Sequence, residues 1–355
     1  MALRSAAALG RALWTFACSD APPPGGASRT FRMGFSGIPP RPDLPTTLQA
    51  LDLWTSGHAD AAILHVSVPY AALLAGVTAK QAVDSNELGL ANYYRAKGLR
   101  VVITVDATNG LDRAQEDPAL VALGRSISDT AIQHLYREFV LALDTILHPD
   151  YLGLAAETNL IRAAAPDSVY QALVTMTNAT AARLVALGPG RKLFVSVQVE
   201  VAWGRLVPGG SYVGIAQDLA DFPFVDALGL SSYPYLGGFA DPESLPLDYY
   251  ARIRAESALP VLVVEGGWPS ISVGAITSSP TEQARYFGYQ ARLLDSARAV
   301  ALFQLTFTDL DLSAIPLPPG SILPLFAHLG LVDSALGPKP ALAVWDSVLG
   351  VPLSP

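Results

Sequence analysis

The feature that most constrains this chain is a repeat of short apolar runs, each followed by a longer segment with helical spacing. Eight runs of strand length recur, at 31–36, 61–68, 100–106, 151–157, 192–199, 227–233, 260–265 and 299–307. Most are continuously apolar rather than alternating, the pattern of parallel strands covered on both faces. Between them, apolar residues at i, i+3 and i+4 predict helices at 46–56, 87–97, 128–147, 168–187, 280–296 and 341–349. Ser279 precedes Pro280, and Glu282 falls three residues after the serine, a pattern that satisfies free N–H groups in a first helical turn. Asp167 or Ser168 is the expected cap of the helix after the fourth run. Parallel strands need crossover connections, and eight such units without a compositional break imply one α/β domain, a single (β/α)8 TIM barrel. A doubly wound sheet would carry a glycine-rich turn after its first strand, where this chain has Ser36-Gly37-Ile38-Pro39-Pro40.

Composition narrows the chemistry. Of 355 residues, 51% are hydrophobic and 15% charged, against about a quarter charged in an average domain. A core that large needs no metal or disulfide staple. The net charge is −8 and the basic residues are scattered singly, which excludes nucleic acid as a partner, since its binding needs a clustered basic face. One cysteine, Cys18, allows no intrachain disulfide, and none of the five histidines shows HxH or HExxH spacing, so neither metal nor cofactor is expected. Only Lys80, Lys97, Lys192 and Lys339 are lysines. None ends a strand, and Lys192 opens one, which argues against Schiff-base and enolase-type barrel chemistry.

Barrel chemistry is built at the carboxyl ends of strands and in the loops beyond them. Those ends carry His65, Ser67, Asp106, Asn109, Glu157, Asn159, Gln198, Glu200, Ser231, Ser232, Tyr233, Tyr235, Glu265 and Gln304. Glu157 and Glu265 stand out because each terminates an apolar run, on strands four and seven, across the mouth from each other. Two facing carboxylates suit hydrolysis of a glycosidic bond with retention, one as nucleophile and one as acid/base, at a separation of about 5–5.5 Å. The alternative for either glutamate is that it caps a turn or pairs with an arginine. Trp268 and Trp203 are candidate platforms for a sugar ring, or else rim packing. His65 is a candidate substrate or nucleophile contact, or else a satisfied core histidine. Asp106 and Asn109 are placed to bind hydroxyls, although Asn109-Gly110 is equally a turn signal. Gln198 is expected on the site floor, and Glu200, two residues beyond, in solvent.

Val263-Val264-Glu265-Gly266-Gly267-Trp268-Pro269-Ser270 resembles the seventh-strand nucleophile motif of clan A retaining glycoside hydrolases. It is nearest to family 53 endo-β-1,4-galactanase-like and family 17 glucanase-like enzymes. Asp226-Ala227-Leu228-Gly229-Leu230-Ser231-Ser232-Tyr233-Pro234-Tyr235 resembles their sixth strand. The resemblance implies a β-glycosidase with a carbohydrate substrate, Glu265 as nucleophile and Glu157 as acid/base. It also implies Tyr233 as the residue that orients the nucleophile, with Tyr235 the second candidate, while Asn159 in the following loop is the candidate substitute for an amide those enzymes carry before the acid/base. Those enzymes place Asn directly before the acid/base glutamate, where this chain has Ala156. The alternative is therefore an inactive barrel that binds carbohydrate at the cell surface.

Residues 1–30 read apart from the barrel at 31–355. A basic start, a small-residue apolar stretch and Cys18 after Phe16-Ala17 resemble a bacterial lipoprotein signal, followed by a Pro/Gly/Ser linker expected to be extended and solvated. Export is expected, with the product secreted or lipid-anchored at the cell envelope, and any membrane attachment running only through lipidated Cys18.

Overall fold

Eight parallel strands pair in chain order and close on themselves, β1 with β8 as well as with β2. The structure, a computed structural model, describes residues 28–206, 210–317 and 319–354. The strands are β1 Arg32–Ser36, β2 Ala61–Ser67, β3 Arg100–Asp106, β4 Tyr151–Gly153, β5 Leu193–Gln198, β6 Ala227–Ser232, β7 Val261–Gly266 and β8 Ala299–Gln304. Each matches one expected run. The chain is a single (β/α)8 TIM barrel. Cys18 and most of the leader fall outside the described residues. Arg29, the last residue of the supposed linker, is not solvated. It is buried, pairs with Asp60 at 2.6 Å and bonds through its backbone to Pro352 and Ser354.

Two apolar layers hold the barrel. The inner layer fills the lumen with Ala61, Ile63, Val102, Phe194, Ala227, Leu262, Val264, Ala301 and Phe303. Phe194 occupies space that its neighbours leave open. A Cβ on Gly153 or Gly229 would come within 2.6 or 2.9 Å of its ring, so small residues on β4 and β6 are the complement of one large residue on β5. The outer layer lies between strands and helices. The helix Thr130–Leu147 buries Ile132, Tyr136, Phe139, Val140, Leu143 and Leu147 at helical spacing, each worth about 1.5–3 kcal/mol relative to exposure. The helix Pro280–Ala297 starts as expected, with Ser279 accepting from the Glu282 N–H at 3.2 Å and Pro280 in the first turn. The helix Asp167–Ala186 does not. Pro166 takes its cap position, and neither Asp167 nor Ser168 caps it.

Two irregularities shape the mouth. β4 ends at Gly153 rather than at Glu157, although Leu154 and Ala155 still bond to the β5 backbone. On β7, Leu230 of β6 pairs with Val263 but Ser231 pairs with Glu265, so one extra residue lies between. Leu262 and Val264 face the lumen, and strict alternation would turn Glu265 outward. The bulge re-aims it inward, a common use of this device. Gly266 allows β7 to run close to β6 there, since a Cβ would lie 2.5 Å from the Ser232 carbonyl oxygen.

Candidate active site

Counted up β6 from the lumen residues Ala227 and Gly229, the next inward side chain is Ser231. Its Oγ lies 2.6 Å from Glu157 Oε1 and 2.6 Å from Glu265 Oε1. One oxygen touching both carboxyl groups limits the separation of those carboxyl oxygens to at most twice that distance. The two glutamates singled out by the sequence thus meet across the mouth.

Each is held differently. Glu157 has left-handed backbone angles, φ 49° and ψ 47°, immediately before the short helix Thr158–Ala164. That conformation costs a non-glycine residue on the order of 1–2 kcal/mol, and the surroundings enforce it. Ser196 Oγ accepts the Glu157 N–H at 2.9 Å. Asn159 clamps the β5 backbone at Gln198, donating to its carbonyl at 2.9 Å and accepting its N–H at 2.7 Å. The Glu157 carboxylate accepts Arg113 Nε–H at 2.9 Å, while Arg113 Nη1 donates to Asp106 Oδ2 at 2.6 Å. Arg113 is buried, and desolvation opposes its charge most strongly, yet the Asp106 and Glu157 carboxylates together hold it protonated.

Among the described residues Glu265 has no such cation of its own. Burial first, and the Glu157 charge second, push its carboxyl up to about 8. His65 lies on its other side, Nδ1 4.0 Å from Glu265 Oε2 and Nε2 3.1 Å from the Val264 carbonyl. A carbonyl can only accept, so Nε2 carries the proton, and burial keeps the ring neutral by lowering its pKa. Among the described residues no cluster of His, Cys, Asp or Glu is arranged to hold a metal ion.

No protein-family model matches the chain, and no curated protein matches it in sequence. Solved structures do resemble it. The GH53 catalytic domain of Ignisphaera aggregans superposes with a TM-score of 0.64 at 16% identity, over 91% of this chain and 98% of that one. Xylanase 10B from Thermotoga maritima gives 0.61 at 14% identity, over 90% and 95% of the two chains. An exo-β-1,4-mannosidase from Opitutaceae bacterium strain TAV5 gives 0.60 at 18% identity and 92% of this chain, which spans only 60% of that enzyme's length. These glycoside hydrolases share the (β/α)8 fold of this chain.

Several residues expected at the site serve the scaffold instead. Trp268 is 1% exposed, donates its indole N–H to Ser278 Oγ at 3.0 Å and packs against Tyr235 and Tyr286. It is rim core, with no face to offer a sugar. Trp203 is stacked on Tyr249 with Arg252 over its ring, and its N–H reaches the Tyr249 carbonyl. Tyr235 donates to the Leu325 carbonyl at 3.1 Å. Asn109 accepts the Leu111 N–H at 3.0 Å, the turn alternative. Both ends of the Asn159 amide are used on the Gln198 backbone, and Gln198 Oε1 accepts the Glu200 N–H at 2.8 Å. Tyr233 is buried beside Glu265, whose charge helps raise its pKa after burial itself. Among the described residues its hydroxyl makes no hydrogen bond, and Ser231 holds the nucleophile candidate. Asp106 does sit at the mouth, engaged by Arg113.

Glu200 is not solvated. It is wholly buried behind β6, accepting Tyr249 Oη–H at 2.7 Å and Ser232 Oγ–H at 3.2 Å, and burial pushes it up to about 7. Sequence reasoning places Ser231 at a strand end without a role, and passes over Ser196 and Arg113. Strand parity would have found the two serines. Two buried carboxylates demand a cation, and Arg113 is the only basic residue in the 107–117 loop.

Proposed function

We propose that this protein is a retaining β-glycoside hydrolase acting on a polysaccharide or oligosaccharide. The observation that carries the reading is the single hydroxyl 2.6 Å from both carboxyl groups, which fits the roughly 5–5.5 Å separation needed for attack on one face of a sugar and protonation at its leaving oxygen. The inverting alternative needs about 6.5–9.5 Å to seat a water. In this reading Glu265 attacks the anomeric carbon while Glu157 protonates the departing oxygen. Glu157 then removes a proton from water, which displaces Glu265 from the covalent intermediate. Sharing a fold with a mannosidase, a xylanase and a GH53 domain supports the class of substrate. The decisive experiment is a panel of β-glucans, galactans and mannans offered to wild type and to Glu265→Ala, with the first-formed anomer followed by NMR. Turnover with retention in wild type and a loss of at least about 10³-fold in the variant are expected. Unchanged turnover in Glu265→Ala, or an inverted product, overturns the mechanism.

A second reading, a carbohydrate-binding barrel without activity, is favoured by one observation. Arg113 ties up the carboxylate that must deliver a proton. Binding of a glycan by wild type without any turnover is its signature in the same panel.

A further inference from the structure

The geometry at Ser231 raises a question of protons. An ionised carboxylate accepts only, and a serine hydroxyl has one hydrogen to give. Ser231 Oγ nevertheless lies 2.6 Å from an oxygen of Glu157 and 2.6 Å from one of Glu265. Both contacts are hydrogen bonds only if one glutamate is a carboxylic acid that donates to Oγ while Oγ donates to the other. Local charge decides which. Arg113 Nε–H points at Glu157, and Arg113 shares its one positive charge with Asp106 as well. Asp106, Glu157 and Arg113 already sum to one negative charge in a buried setting. The groups facing Glu265 are neutral His65 from β2, Asp106 and Arg113 from β3 and its loop, Glu157 after β4, and Ser231 and Tyr233 from β6 and its end. None is a cation bonded to Glu265. In the resting molecule Glu157 is therefore the anion and Glu265 the acid, the reverse of the order that retaining hydrolysis requires.

We propose that the Ser231 hydroxyl relays the catalytic proton from Glu265 to Glu157, and that Arg113 holds the pair in its unreactive order until the guanidinium withdraws from Glu157. This rests on the hydrolase reading above. The Glu265 O–H bond breaks as its proton passes to Ser231 Oγ, and the original Ser231 O–H bond breaks as that proton passes to Glu157 Oε1. The serine ends unchanged. Glu265 becomes the carboxylate nucleophile, Glu157 becomes the acid, and no proton is exchanged with solvent. A sugar entering between Glu157 and Arg113 supplies the trigger, because the ion pair is what favours the resting order. Ser231 is in contact with both reacting carboxyls, while Arg113 acts through Glu157 as a positioning residue.

Carbon-13 NMR of protein labelled at glutamate Cδ tests the order without any substrate, with resonances assigned from Glu157→Gln and Glu265→Gln. At pH 7 the Glu265 resonance is expected at the acid position and that of Glu157 at the carboxylate position, with the order reversed in Arg113→Met. Glu157 found protonated in wild type, or an unchanged order in a folded Arg113→Met protein, overturns the proposal. Kinetics then test the relay. On a β-glycoside with a poor leaving group, Ser231→Ala is expected to lose about 10- to 100-fold in kcat/KM. On an aryl glycoside whose leaving group needs no proton the loss persists, because Glu265 must still be ionised to attack, and Ser231→Thr restores most of it on both. No loss on the aryl glycoside, or no rescue by threonine in a variant melting like wild type, indicates a merely structural serine. Turnover by wild type with the reverse proton order removes the relay alone. The stated order without turnover of any glycan removes the hydrolase reading and leaves the relay nothing to serve.

Discussion

Glu157 shows how much a single residue is asked to hold. Its backbone is left-handed, its N–H is taken by Ser196, and its carboxylate is shared between Arg113 and Ser231. The two sequence readings of this residue are thus compatible in geometry, since it pairs with an arginine and faces Glu265 across Ser231. Glu200 has a simpler fate. Tyr249 and Ser232 supply Oε1, while among the described residues Oε2 has no partner. An acid raised by burial keeps its proton in the fold after the unfolded chain has released it. Stability then falls as pH rises from the ordinary glutamate value of 4.5 to about 7 and is level beyond. Glu200→Gln should remove that component, on the order of 3 kcal/mol. Glu265 acts in the same direction up to about 8, so the variant keeps a shallower fall. Melting temperatures of the two proteins across pH 4–8 make the comparison, and identical slopes would refute the assignment.

At the scale of elements, the ends of β4 and β7 decide where the carboxyls point. The apolar run Leu154-Ala155-Ala156 reads as more strand, but its residues are buried because they pass beneath the site, and only Leu154 and Ala155 stay bonded to β5. Burial and strand geometry are separate causes of the same composition, which is why β4 looks longer in sequence than it is. Short helices such as Tyr70–Leu74, Val199–Ala202 and Ala251–Ala255 escaped for the opposite reason, being too brief to show a period. The Asn159 clamp joins the segment after β4 to the end of β5. Asn159→Ala would leave a buried N–H and C=O of Gln198 unpaired, at about 1–3 kcal/mol each, and would loosen Glu157. Urea denaturation should show a loss of at least about 2 kcal/mol together with reduced turnover. A loss confined to stability would separate the clamp from the site.

For the whole molecule, closure of the sheet depends on filling its lumen. Phe194 does this against Gly153 and Gly229, and glycine backbone on two sides leaves little freedom to collapse. Phe194→Ala should cost about 3–5 kcal/mol, measured by chemical denaturation, and a cost below about 1 kcal/mol would mean that the lumen relaxes. The loop after β7 is fixed at the same scale. Lys339, from just before the last helix Pro340–Leu349, reaches Asp309 at 2.6 Å and Ser270 at 3.0 Å. Trp268, Pro269 and Ser270 are thereby part of the rim's structure, although their sequence suggests a sugar cleft.

The sequence alone determined the barrel, because eight doubly covered parallel strands need apolar residues at nearly every position and crossovers between them. It also singled out Glu157 and Glu265, because an acid at the end of an apolar run is conspicuous. Tertiary structure decided everything that depends on which way a side chain faces. The bulge on β7, the left-handed turn at Glu157 and the entry of Arg113 from a loop are set by contacts distant in sequence, and no local pattern encodes them. Contacts of the same kind buried Trp268 in the rim, stacked Trp203 on Tyr249 and set a serine between the two acids.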